Sequence, residues 1–328
     1  MQISGGISIT GGVSLTPSSG GSVPTPSLSN GYASGGRDPA SSPYNVSNID
    51  KFSFTSDGNA ANIGDLTVAR YGTAGQSSSI SGYASGGGTA PTQTGGTIDK
   101  FAFASDGNAT SVGSLSLARS SAAGQSSSDN GYSSGGFQAP NSPTARKNNI
   151  DKFPFASDSN ATDVGDLTLA RTSPAGQSSS ESGYSSGGQD PGAPVNYIDK
   201  FPFASNANAT DVGDLSLPIG GAAGQSSSAS GYIAGGYSPT QSPTILTNIE
   251  KFPFASDGNA TGVGDLTQGR SDCSGQSDTP NGYTSGGYAG GTPAYTNTID
   301  KFPFASDSNA TDVGDLTLAR GQMSGQQG

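Results

Sequence analysis

Ile150-Asp-Lys-Phe-Pro-Phe-Ala-Ser-Asp-Ser-Asn-Ala-Thr-Asp-Val-Gly-Asp-Leu-Thr-Leu-Ala-Arg171 decides the fold, because near-copies of it start at Ile49, Ile98, Ile150, Ile198, Ile249 and Ile299. A self-similar period of about 50 residues implies one supersecondary unit repeated around an axis or along a solenoid. Around each copy the same landmarks recur. A Gly-Tyr-x-(Ser/Ala)-Gly-Gly segment opens the unit at Gly31, Gly82, Gly131, Gly183, Gly231 and Gly282. The quoted block follows after a loop, and a Gly-Gln run leads to the next Gly-Tyr. Four short extended segments per unit are implied, punctuated by Gly, Asn, Asp and Pro.

The spacing from the block Phe (Phe52, Phe101, Phe153, Phe201, Phe252, Phe302) to the following Gln (Gln76, Gln125, Gln177, Gln225, Gln276, Gln326) never changes. All length variation falls between the Gly-Gly pair and the next Ile. That connection is therefore a surface loop on one face, and the remainder is packed scaffold. Four-stranded units repeated radially make a β-propeller, so the expected fold is all-β with six blades over residues 26–328. The apolar fraction is only 30% with 52 Gly and no Trp. The apolar residues are phased with the repeat, which separates the chain from a disordered one.

Several function classes drop out. The net charge of −11 and the dispersed cations argue against nucleic-acid binding. The chain has no His, which removes Ser-His triads, imidazole metal sites and the commonest general base, and no catalytic residues are assigned. Cys273 is the only cysteine, so neither an intrachain disulfide nor a zinc cluster can form. No segment approaches 18 apolar residues and the N-terminus lacks signal-peptide character, so no membrane span is expected.

Residues 1–25 stand apart as a Gly/Ser/Pro-rich arm. Ile3, Ile7, Ile9, Val13 and Leu15 alternate with small residues before Pro17 and Pro24. The arm has too little apolar area to fold alone, and it either stays mobile or adds strands to a partner. At the other end the chain closes on Gly325-Gln326, a sixth Gly-Gln with no Tyr after it, whereas Tyr32 has no Gly-Gln before it. The expectation is that 321–328 supplies the first blade's inner position and seals the ring.

The repeat resembles the kelch β-propeller unit, on the strength of Tyr32 with Gly35-Gly36, the second aromatic Phe52 and Arg70 before the next repeat. The likeness runs from Gly31 to the C-terminus. It departs in lacking the fourth-strand Trp, so slimmer blades packed by Val164, Leu167 and Leu169 are expected. Arg is replaced by Ile219 in the fourth repeat, and Gly-Asp-Leu reads Gly-Ser114-Leu in the second. The wording Lys-Phe-Pro-Phe-Ala-Ser-Asp-Gly-Asn-Ala-Thr also resembles kelch-type repeats of virion structural proteins of aquatic tailed phages, cyanophages among them. That resemblance implies a non-enzymatic virion component, as a tail fibre, appendage or capsid decoration. The arm would anchor it to other virion proteins, in several copies per particle or as a homo-oligomer. A bacterial surface or secreted adhesin is the alternative setting.

Among candidate sites, Asp158, Asn160, Asp163 and Asp166 place oxygens at alternating positions that would suit calcium, but an Asx turn between strands accounts for them and no cofactor is expected. The Asn-Ala-Thr sequons read as turn residues. Asp50-type and Lys51-type residues read as solvated strand positions or weak ion pairs worth under about 1 kcal/mol each. The variable loops carry the residues expected to meet a host-surface glycan or protein: Arg37, Tyr44, Gln138, Arg146, Lys147, Tyr197, Tyr237, Tyr288 and Tyr295.

Overall fold

Each near-copy of the block builds the middle of a blade, and the six blades are four-stranded antiparallel sheets arranged as a β-propeller. The computed structural model describes residues 28–40, 44–89, 94–139, 145–292 and 294–328. Blade 2 shows the plan. Its inner strand is Ala74–Ser77, the second Ser81–Ser85, the third Thr97–Ala102 and the outer Thr110–Ser114. Arm residues Ile3, Ile7, Ile9, Val13 and Leu15 lie outside the described residues.

The near-constancy of Ile-Asp-Lys-Phe-x-Phe follows from the period of two in a strand that is covered on both sides. In blade 2, Asp99, Phe101 and Phe103 point back to blade 1, where Tyr32 stacks on Phe103 at 4.9 Å and meets Phe101 at 5.4 Å. Ile98 and Lys100 point forward to blade 3. There Ile98 joins the cluster of Tyr83, Leu115 and Phe153, and Lys100 reaches Asp158 at 3.2 Å. The Tyr–Phe–Phe contact recurs at all six seams, Tyr283 of blade 6 closing the circle on Phe54 of blade 1 at 4.5 Å. Each such aromatic pair adds about 0.5–1.5 kcal/mol beyond its buried area.

The second Phe of each doublet, not singled out as packing by the sequence pattern, lies in the seam against the preceding blade's Tyr. The outer strand also stops earlier than the Val-Gly-Asp-Leu-Thr-Leu pattern implies, covering Thr162–Asp166 in blade 3. Leu167 is buried just beyond it, while Val164 and Leu169 are only half-buried. The chain leaves the sheet there because the next blade captures it: Thr168 donates its amide and hydroxyl to Asp199, at 2.9 and 2.6 Å.

That capture overturns the reading of the Asp50-type residues as solvated. Asp50, Asp99, Asp151, Asp199, Glu250 and Asp300 are fully buried. Five of them meet the equally buried Arg320, Arg70, Arg119, Arg171 and Arg270 of the linking segment, at 2.7 to 3.3 Å. Burial pulls the Arg119 guanidinium below its ordinary range and Asp151 pushes it back. The remaining seam, between blades 4 and 5, differs: Ile219 takes the place of Arg, and Glu250 accepts from the Ser216 amide (2.9 Å) and hydroxyl (2.5 Å). Five of the six Lys51-type residues form exposed seam pairs with Asp of the next blade, as Lys51 does with Asp106 at 2.9 Å, and contribute little. Lys152 has Asn206 in that position and lies over Tyr132 instead.

The calcium-like oxygens of blade 3 are engaged in separate directions. Asp158 pairs with Lys100, Asn160 Oδ1 accepts from Ser114 N at 3.1 Å, and Asp163 accepts from Asn149 Nδ2 at 2.6 Å. The same contact gives the sequon Asn a structural role, because its carboxamide ties the outer strand of the preceding blade. With Ala109 N donating to Asp65 O, it covers what would otherwise be a free sheet edge.

Around the axis, Gly75, Gly124, Gly176, Gly224, Gly275 and Gly325 meet in a closed circle. A Cβ on any of them would overlap the carbonyl of its neighbour. Blade 1 draws its inner strand from the other end of the chain. Ser324–Gln327 pairs antiparallel with Asn30–Ser34, Tyr32 lying opposite Gln326. Gln326 Nε2 then reaches Tyr83 O at 2.9 Å, the contact Gln76 makes with Tyr132 O one seam further on.

Candidate ligand-binding face

Because the strands alternate in direction, one end of every blade carries the constant turns and the other carries the variable loops. Leu28 to Asn30 enters on the constant face. There Ser29 N and Asn30 N both donate to Gly328 O at 2.8 Å, and Phe54 N donates to Ser29 O at 2.9 Å. The variable loops start from Gly-Gly pairs whose positive φ, +67° and +116° at Gly35 and Gly36, turns the chain out of the second strand. On this opposite face the linking segments converge on the axis.

Their tips form a ring. Gly72, Ser121, Ser173, Gly221, Asp272 and Gln322 all have left-handed backbone, φ 54° to 68°. Each donates its amide to the carbonyl of the preceding member, at 2.6 to 3.0 Å, with Gly72 closing onto Gln322. Four members are not Gly, at about 1 kcal/mol of strain apiece. With its amides committed, the ring offers no backbone donor to an anion and acts as a floor. Asp272 is half-buried there. Burial pushes its carboxyl up to about 6 from an ordinary 3.8, a hydrogen bond from Gln322 opposing the shift.

This shift carries a pH prediction. A folded-state value above the unfolded one means that the folded state holds the proton more tightly. The contribution to stability is then full below about pH 4 and is lost as the pH rises towards about 6. Asn suits left-handed backbone and carries no charge. Asp272→Asn is expected to melt like the wild type near pH 3 and to be more stable by about 2 kcal/mol near pH 8, solvent at the axial mouth trimming the full shift. Equal melting of the two proteins near pH 8 contradicts it.

Beside the ring, at the seam of blades 6 and 1, four of the nine loop residues come together. The Arg37 guanidinium lies over the Tyr44 ring at 5.7 Å and over Tyr71 at 6.0 Å. Tyr288 and Tyr295 meet edge to face at 5.5 Å. The Tyr295 ring packs against Gly321, whose backbone bridges Arg37. Burial raises the Tyr295 hydroxyl, Arg37 lowers it, and Asp272 and Tyr288 raise it, which ties the cluster to the ring. Tyr44 is 57% exposed and Tyr288 37%.

The other five loop residues lie elsewhere. Gln138 closes the blade 3 loop through its amide to Ala145 O, Arg146 bridges Phe137 and Lys147 donates to Gly136 O. Tyr237 is half-buried between Gly220 and Ile245 in blade 5. Tyr197 starts the third strand of blade 4, opposite Asp214. Tyr71, Asp272 and Gln322 were missed because they belong to the constant part of the repeat. The available signal was a break in it, Tyr71 standing where the other copies have Ser120, Thr172, Gly220, Ser271 and Gly321.

The fold and this face define a six-bladed β-propeller with a scaffold of self-satisfying seams and one aromatic sector. No protein-family model and no curated protein matches the chain.

Proposed function

We propose that this propeller is a non-enzymatic interaction protein of a phage virion, seated on the particle by its constant face and arm and presenting its loop face to the host surface. The observation that carries the reading is the opposition of the two faces. The described chain enters beside Gly328 among the constant turns, while the exposed cluster of Arg37, Tyr44 and Tyr288 sits on the opposite end of the blades. The polar groups repeated in every blade serve the seams, leaving recognition to the loops. The kelch-type and phage-repeat resemblance of the sequence supplies the virion setting.

Deleting residues 1–25 is expected to abolish incorporation into particles while the propeller still folds. Replacing Tyr44 and Tyr288 by Ala is expected to leave incorporation intact and to weaken attachment of the particles to host cells. Full incorporation of the truncated chain sinks the anchor, and unchanged attachment by the double variant sinks the loop-face assignment.

A further inference from the structure

Side-chain allocation singles out the seam of blades 6 and 1. Of the seven Arg residues, Arg70, Arg119, Arg171, Arg270 and Arg320 are buried in the linking segments. Of the twelve Tyr, six open the second strands, and of the remaining six Tyr44, Tyr71 and Tyr295 surround Arg37, with Tyr288 packed edge to face on Tyr295. Arg37 is exposed, and among the described residues no carboxylate forms an ion pair with it. Its backbone is held on both sides, donating to Gly321 O at 2.8 Å and bridging Asn45. Tyr71 is laddered to Gly88, and Tyr288 to Ser271 and Tyr295. The groups are therefore placed before any ligand arrives, which lowers the ordering cost of binding.

We propose that this seam binds a sugar residue carrying a single carboxylate, Arg37 holding the carboxylate and the surrounding tyrosines receiving the C–H faces of the sugar. The proposal rests on the loop face being the recognition face. A planar guanidinium matches a carboxylate with two parallel hydrogen bonds. Tyr rings present an apolar face with a hydroxyl at the edge, which suits a ring that is apolar on its faces and polar around its rim. One cation beside three rings, the third backed by a fourth, calls for one charge and several flat faces. A polyacidic ligand is disfavoured by the net charge of −11 and by Asp272 on the axial side. An acidic peptide would need further cations or an open strand edge, and the outer edges are covered by neighbouring turns.

The test titrates the full chain with three probes: an oligosaccharide ending in a uronic acid, the same oligosaccharide with its carboxyl reduced to the alcohol, and an Asp/Glu-rich peptide. The acidic sugar is expected to bind. Carboxyl reduction, or Arg37→Gln, is expected to weaken binding about tenfold or more. Tyr288→Ala is expected to weaken both sugars. Arg37→Gln is also expected to melt like the wild type, so that lost affinity is not lost folding. Acidic-sugar binding unchanged in Arg37→Gln, or a peptide that binds tighter than either sugar, overturns the proposal. If both sugars bind equally and depend on Tyr288 but not Arg37, the carboxylate assignment falls and the loop-face reading stands. Silence with all three probes overturns the sugar proposal, and host attachment then decides the loop face separately.

Discussion

Removing residues 321–328 is expected to take away most of the stability of the propeller, about 5 kcal/mol or more against the 5–15 typical of a domain. The loss follows from what Ser324–Gln327 does. It is the inner strand of blade 1, and its absence would leave Asn30–Ser34 as a bare edge. The same deletion opens three circles at once. Gly325 leaves the axial glycine contact, Gln322 leaves the backbone ring, and Gln327, which accepts from Ser277 N and donates to Ser77 Oγ, leaves the serine chain around the axis. Thermal unfolding of the truncated chain beside the full chain measures it, and coincident melting would show that the ring holds without its closing strand.

Arg119→Ala is expected to lower the unfolding free energy by about 3–5 kcal/mol, because it strands Asp151 at a fully buried position. The attraction within such a pair does not make it strongly stabilising, since both charges lose water. Losing one partner is what costs. The seam of blades 4 and 5 shows how the arrangement can be dispensed with. Ile219 fills the Arg space against Gly236, and Glu250 settles for the Ser216 amide and hydroxyl. Arg119→Ile with Asp151→Asn should therefore recover most of the loss, to within about 1–2 kcal/mol of the wild type. Denaturant unfolding of the single and double variants tests the pair, and an Arg119→Ala cost below about 1 kcal/mol would mean that Asp151 finds water or another donor.

The propeller was legible in the chain because six copies with constant Phe-to-Gln spacing leave one architecture and one variable connection. The burial of Asp99 was not. A carboxylate in a strand next to Lys looks solvated when only one face of the sheet is assumed to be covered, whereas here Asp99 faces the preceding blade and Lys100 the following one. The second Phe was equally hidden, since its role appears only when Tyr32 of one repeat is laid on Phe103 of the next. The loop cluster was half legible. Tyr and Arg enrichment pointed to these loops, but Arg37 and Tyr295 come together only because Asn30–Ser34 and Ser324–Gln327 share a blade, and no spacing along one repeat shows that Tyr71 joins them.

The axial glycine circle limits how such a gene can change length. Nearly identical repeats invite unequal recombination, and most seams would accept another blade as neighbour, because Tyr packs on the next copy's Phe pair and Asn ties back to the preceding copy in the same way at each junction. The centre would not accept it. Six glycines already touch their neighbours around the circle without room for a methyl group, so five copies would collide or buckle and seven would pull these contacts apart. The seams permit duplication, and the axis counts the blades.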